Sequence, residues 1–235
     1  VAAEFNGTVV TANSILMGNV SHLNNLTQKS FSFWACLSSS VQGYVMGCGD
    51  GSTTNRWHIL LYGTEIMLGQ YTGLWVHGFV PELSVDTWYH FTITKNTSVV
   101  NTPPIIYKNG VSLSVTENTA QTSILDEAGY VLDIGAARQA SMGLHFSFGG
   151  KLKDVRIYNT ILTAAQALAI YNEGAGGTGV LDNLMFQAPV VKTSELAYYT
   201  DHTMLSTDRI IDNIYNEIGL PVKTSTGGYP IIRLP

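Results

Sequence analysis

The sequence predicts an all-β fold, two antiparallel sheets packed as a sandwich, with one short helix and an extended C-terminal arm. Three observations carry that reading. Short runs rich in aromatic and β-branched residues recur to about residue 160, separated by Gly, Asn, Ser and Asp. Asn109-Gly110 stands inside one of them and supplies the positive φ angles that a two-residue hairpin turn requires. Helical periodicity is almost absent between the runs, so the crossover helices of a parallel sheet have no place.

Taken in order, strands are expected at 31–37, 57–62, 88–94, 105–113 around the Asn-Gly turn, and 153–158. The alanine-rich run 164–173 predicts a helix: Thr163 with Gln166 three residues on forms a capping box, and Gly174 supplies a left-handed stop. Leu162, Leu168 and Tyr171 are expected to face the sandwich. The glycine-rich run 174–179 reads as a linker, dividing the chain into a sandwich at 1–173, the linker, and an arm at 180–235. In the arm, 207–218 is amphipathic, with Ile210, Ile211, Ile214, Tyr215 and Ile218 on one face and Gly219 and Pro221 ending it. An arm with a single helix buries too little to stand alone, so that apolar face is expected to bind a partner, a neighbouring subunit rather than its own sandwich.

Composition narrows the function. The 235 residues are 45% hydrophobic and only 12% charged, which excludes intrinsic disorder. Net charge is −5, with no lysine or arginine cluster, so no nucleic-acid partner is expected. No run approaches the roughly 18 apolar residues of a membrane span, and the opening Val1-Ala2-Ala3-Glu4 lacks the charged-then-apolar pattern of a leader. Cys36 and Cys48 fall in adjacent expected strands, where they either bridge in an oxidising compartment or stay as two buried thiols. Sequons begin at Asn6, Asn19, Asn25 and Asn96, a number that chance supplies in a chain this rich in Asn, Ser and Thr.

Several motifs in order resemble the laminin G-like branch of the concanavalin A-like lectin/glucanase superfamily. They are Glu4-Phe5-Asn6-Gly7-Thr8, Phe31-Ser32-Phe33-Trp34, Trp88-Tyr89-His90, Tyr107-Lys108-Asn109-Gly110, Ile134-Gly135 and 150–159, with Leu162-Thr163 before the helix. The resemblance covers about residues 4 to 173 and implies a jelly roll used mostly for binding glycans or proteins. Most motif residues read as scaffold: Trp88 and Phe91 as apolar mass, Asp154 and Arg156 as an ion pair or loop cap, His90 as a hydrogen-bonded structural histidine.

Catalysis is not expected. Glucanases of the superfamily use a Glu-x-Asp-x-x-Glu strand, because retaining hydrolysis needs two carboxyls about 5 Å apart, and this spacing is missing. Asp126 and Glu127 are adjacent, so they would diverge on a strand, while Glu65, Glu82 and Glu117 stand alone. Nucleophile elbow, phosphate loop and zinc helix are missing too. Similar domains hold calcium, for which Asp50 and Asp154 are the candidate donors and Asn6 a further one, against the plainer reading of a solvated aspartate and a salt bridge. For a sugar, Tyr71, Trp75 and His77 share strand parity and offer an aromatic face, unless that face is the inner one. Two functions therefore compete. One is a non-enzymatic subunit of an assembly, a virus-particle decoration or tail protein docked through its arm. The other is a secreted or surface-displayed carbohydrate-binding module. The expected location is accordingly the virion or the extracellular space.

Overall fold

In a computed structural model the described residues are 2–7, 14–38, 43–49, 57–62, 65–70, 74–79, 83–100, 102–119, 124, 126–139, 143–145 and 147–188. The chain opens with β1 (Ala3–Asn6) and β2 (Ile15–Gly18) and continues through a 3-10 turn at Ser21–Leu23 into β3 (Gln28–Leu37). β4 (Gly43–Gly49), β5 (Trp57–Tyr62), β6 (Glu65–Gln70) and β7 (Leu74–Phe79) form a meander. β8 (Trp88–Asn96), β9 (Ile105–Lys108), β10 (Val111–Leu113) and β11 (Val115–Thr119) come next. β12 (Val131–Ile134), β13 (Ala137–Gln139), β14 (Gly143–His145) and β15 (Gly149–Tyr158) precede α1 (Ala164–Glu173) and β16 (Leu184–Ala188).

Two seven-stranded antiparallel sheets result. The first runs β1-β15-β3-β8-β9-β10 with β16 also on β15, the second β11-β7-β6-β5-β4-β12-β2. Strand neighbours far apart in sequence, such as β15 with β3, make this a jelly roll rather than a chain of hairpins. Alternate residues fill the space between the sheets: Phe31, Phe33, Phe91 and Ile93 from the first, Ile59, Leu61, Ile66 and Leu68 from the second. Phe33 and Phe91 sit opposite each other with ring centroids 5.6 Å apart, and Phe31 reaches Trp57 of the second sheet at 4.7 Å. The widely spaced motifs meet physically. Gly135 has φ +82°, and a Cβ there would fall 2.0 Å from the Phe5 ring, so Phe5 packs only because residue 135 is glycine.

The Asn109-Gly110 turn has φ of 51° and 77°, as a primed hairpin turn requires. α1 starts on the expected box, Thr163 N–H donating to Gln166 Oε1 at 2.9 Å and Gln166 N–H to Thr163 Oγ1 at 3.3 Å. Its buried face differs from expectation: Ala167 and Ile170 are enclosed, while Leu168 is 44% exposed and leans over Gly110. Leu162 is buried, and Tyr171 stacks on Trp34 of β3 at 5.7 Å, so the helix covers part of the first sheet's outer surface.

The expected linker and the start of the expected arm belong to the sandwich. Ala188, Gln187, Phe186 and Leu184 pair with Val155 to Tyr158, and Val180, Leu184 and Phe186 are buried. The glycines dock because their backbone meets side chains of β15: Arg156 donates to the Gly177 carbonyl at 2.6 Å, and the Gly176 N–H donates to Asp154 at 2.9 Å. Among the described residues no helix is long and apolar enough to cross a membrane.

Cys36 and Cys48 are free and buried. Cys48 lies in the core, whereas Cys36 has the parity of Trp34 on the outer face of the other sheet, so the two thiols do not meet. Burial, reinforced by the Glu127 charge, pushes the Cys48 thiol up to about 12.

Candidate functional site

On the second sheet, β5 and β6 turn Ile59, Leu61, Ile66 and Leu68 inward, and on the outer face Leu60 and Met67 form a separate cluster, itself buried, with Tyr44 and Ala137. Backbone register pairs Trp75 with Gly69 and His77 with Met67. Positions 75 and 77 therefore share the parity of the outer cluster rather than of the core. Tyr71 lies outside the described residues, as do Asp50, Glu82 and the arm positions Ile210, Ile211, Ile214, Tyr215 and Ile218.

Asp154 does not offer a cation site. A β-bulge places residues 154 and 155 against one residue of β3, and Asp154 takes φ 51° at that point. Arg156 grips its carboxylate from two nitrogens, Nε at 2.9 Å and Nη2 at 2.7 Å, while Gln187 Nε2 donates to Oδ1 at 2.7 Å and Gly176 N to Oδ2. Four N–H donors on two oxygens leave no lone pairs directed at calcium. Asn6 Oδ1 accepts from Ser147. No group of three or more His, Cys, Asp or Glu is assembled among the described residues.

The bulge also resets the parity of β15. Leu152 and Val155 both point into the core, so Lys151, Lys153, Asp154, Arg156 and Tyr158 all belong to the outer side. There they meet Ser32, Trp34 and Cys36 of β3 and Trp88 and His90 of β8. His90 accepts or donates one hydrogen bond with Ser32 Oγ at 2.9 Å and lies beneath Tyr171 and Trp34. Burial drives its pKa down to about 4, with Asp154 opposing and Arg156 adding to the shift. The unfolded chain takes up a proton below about pH 6.5 while the fold keeps His90 neutral, so stability is lost as pH falls from 6.5 towards 4. Urea unfolding at pH 7.5 and 4.5 should show a loss on the order of 3 kcal/mol that His90→Gln removes. Parallel losses in both proteins would refute the assignment.

Trp34, Trp88 and Tyr171 are only half-buried, and the Lys153 ammonium sits 5.4 Å from the Trp34 ring centroid and 4.2 Å from that of Trp88. Sequence reasoning took these tryptophans as scaffold. The signal it missed was phase: Trp34 is odd-spaced from Phe31 and Phe33 cannot share its face.

At one end of the sandwich a cleft of about 220 Å³ is lined by Leu26, Thr27, Thr97, Ile124 and Glu127. Behind it Lys29 and Lys95 stand directly opposite on β3 and β8, both buried, and both with the inward parity of Phe31 and Ile93. Glu127 forms a buried ion pair with Lys29 and accepts from the Asn25 N–H at 2.8 Å. Asp126, its exposed neighbour, accepts from Asn25 Nδ2 at 2.9 Å. The two carboxylates thus clasp one loop through Asn25, and Glu127 is held by Lys29 as well.

The family model for the concanavalin A-like lectin/glucanases superfamily, in its laminin G-like form, matches residues 8–167. The chain belongs to that superfamily. Solved structures of the lectin-like fold agree. A heptameric SAP-like pentraxin from Limulus polyphemus aligns with a TM-score of 0.60 at 16% identity, over 84% of this chain and 90% of its own. A putative carbohydrate binding protein from Bacteroides ovatus gives 0.59 at 16% identity, over 86% of this chain and 55% of its own. The CBM40 of a Ruminococcus gnavus IT-sialidase gives 0.57 at 12% identity, over 72% and 97%. At these identities the likeness is one of fold. No curated protein matches the chain.

Proposed function

We propose that this lectin-like domain is a carbohydrate-binding module without catalytic activity, using the outer face of the second sheet. The observation that carries the reading is the register of β7, which gives positions 75 and 77 the parity of outer-cluster residues while Ile66 and Leu68 serve the core. An indole stacks on the apolar face of a sugar ring and a neighbouring imidazole takes a hydroxyl. The binding module and carbohydrate-binding protein among the structural neighbours favour this over a particle subunit. The Lys29 ion pair that occupies Glu127 supports the non-enzymatic half, because retaining hydrolysis needs two carboxyls flanking one bond.

The test is a glycan array with the whole chain, followed by calorimetry on the best hit. Trp75→Ala should weaken binding by about tenfold or more, the change that ~1.4 kcal/mol makes. Failure of the folded protein to bind any glycan, or release of sugar from a β-glucan, would remove the proposal.

A further inference from the structure

We propose that the outer face of the first sheet carries a second site, for a sugar bearing a carboxylate, formed by Trp34 and Trp88 with Lys153 between them. The site is independent of β7, which belongs to the other sheet.

The arrangement follows from strand register. Lys153 stands opposite Trp34, Lys151 opposite Cys36, and Cys36 opposite Trp88, which makes one grid across β15, β3 and β8. Because the bulge begins only after Lys153, that lysine still points outward, and its ammonium reaches both indole rings. α1 closes the grid on the His90 side through Tyr171 and stops there, leaving Trp34, Trp88 and Lys153 partly exposed. Two of the four tryptophans in the chain are thus held half-wet side by side, although indoles gain most by full burial.

Charge selects the ligand. The buried cations Arg156 and Lys29 have carboxylate partners in Asp154 and Glu127. Among the described residues the Lys153 ammonium meets the two rings and no carboxylate, and ring faces do not neutralise an ammonium. Lys151 stands opposite Glu4 of β1 and Asp86 lies near Cys36, so this face carries both signs, and Lys153 is the cation placed between the two rings. In a chain of net charge −5 a cation framed by aromatic faces matches a ring with one apolar face and one anionic group: the pyranose stacks on indole and its carboxylate pairs with the ammonium.

The experiment uses the whole chain and immobilised uronic-acid and nonulosonic-acid oligosaccharides, each beside its carboxyl-reduced counterpart. At least one acidic form should bind about tenfold or more tightly than its reduced form, and added salt should weaken it. Lys153→Gln should erase the difference between the two forms, and Trp88→Ala should abolish both, with circular dichroism verifying the fold. Trp75→Ala should leave this binding intact, so failure of the β7 reading and failure of this one are separable. Equal binding of the two forms, no binding of any acidic form by the folded protein, or an unchanged acidic preference in Lys153→Gln would overturn the proposal. Dissociation of a dimer by Trp88→Ala would also overturn it, by assigning the face to a second copy.

Discussion

Asp154→Ala should destabilise the domain by about 3–5 kcal/mol, the usual result of removing one member of a buried ion pair. Arg156 has no exposed surface, and Asp154 is its carboxylate partner, held at 2.7 Å. Removal leaves a buried guanidinium without its counter-charge, and strips acceptors from Gln187 and Gly176 at the same time. Domains have only about 5–15 kcal/mol in hand, so much of the fold's margin would disappear. Urea denaturation measures it directly. The double replacement Asp154→Leu with Arg156→Met should recover much of the loss, since paired charges exchanged for apolar volume are often neutral. A midpoint that does not move in Asp154→Ala would show that the pair is solvated.

Glu127→Ala should be comparably damaging, for a different reason. Lys29 and Lys95 are buried cross-strand neighbours, a like-charged arrangement that is unfavourable by itself. Lys95 donates to the Thr102 carbonyl and Lys29 draws its counter-charge from Glu127. Without that carboxylate the Lys29 ammonium stays in the sandwich interior beside the Trp57 ring, stripped of its counter-charge and one strand from Lys95. A loss of about 3–5 kcal/mol, at 2–4 °C per kcal/mol for a chain of this size, lowers the thermal midpoint by roughly 6–20 °C. Glu127→Gln should fall between, because the amide oxygen still accepts from Asn25 while the charge is gone. Equal midpoints for Glu127→Ala and the parent would refute the role.

The framework was legible where residue type and local geometry coincide. Asn109-Gly110 names its own turn and Thr163-Gln166 its own cap, because each needs only neighbours in sequence. The face of α1 was less legible: a cap fixes where a helix starts, but whether Leu168 or Ile170 is buried depends on the sheet beneath. β16 escaped notice because its five residues follow glycines whose composition reads as a linker, and the groups that hold those glycines, Asp154 and Arg156, are some twenty residues away. The bulge had left a trace. Leu152 and Val155 are three apart, and two core positions on one regular strand are separated by an even number. The same parity argument separates Trp34 and Cys36 from Phe33. The outer-face grid was not legible, since it is set by pairing among three strands far apart in the chain.

β1 and β16 occupy the same edge of β15, in the same direction. Ala3 pairs with Leu152 and Ala188 with Val155, so β16 ends where β1 begins, across the gap opposite Lys153 and Asp154. The backbone at Ala188 and the backbone at Ala3 therefore lie at neighbouring points along one edge of β15. A few residues would suffice to join them, and a circularly permuted chain opened at the exposed Ser98-Val99 bend would keep every strand pairing of the described residues. A sandwich whose two strand ends lie so close is one that a host loop could take in through them without being prised apart.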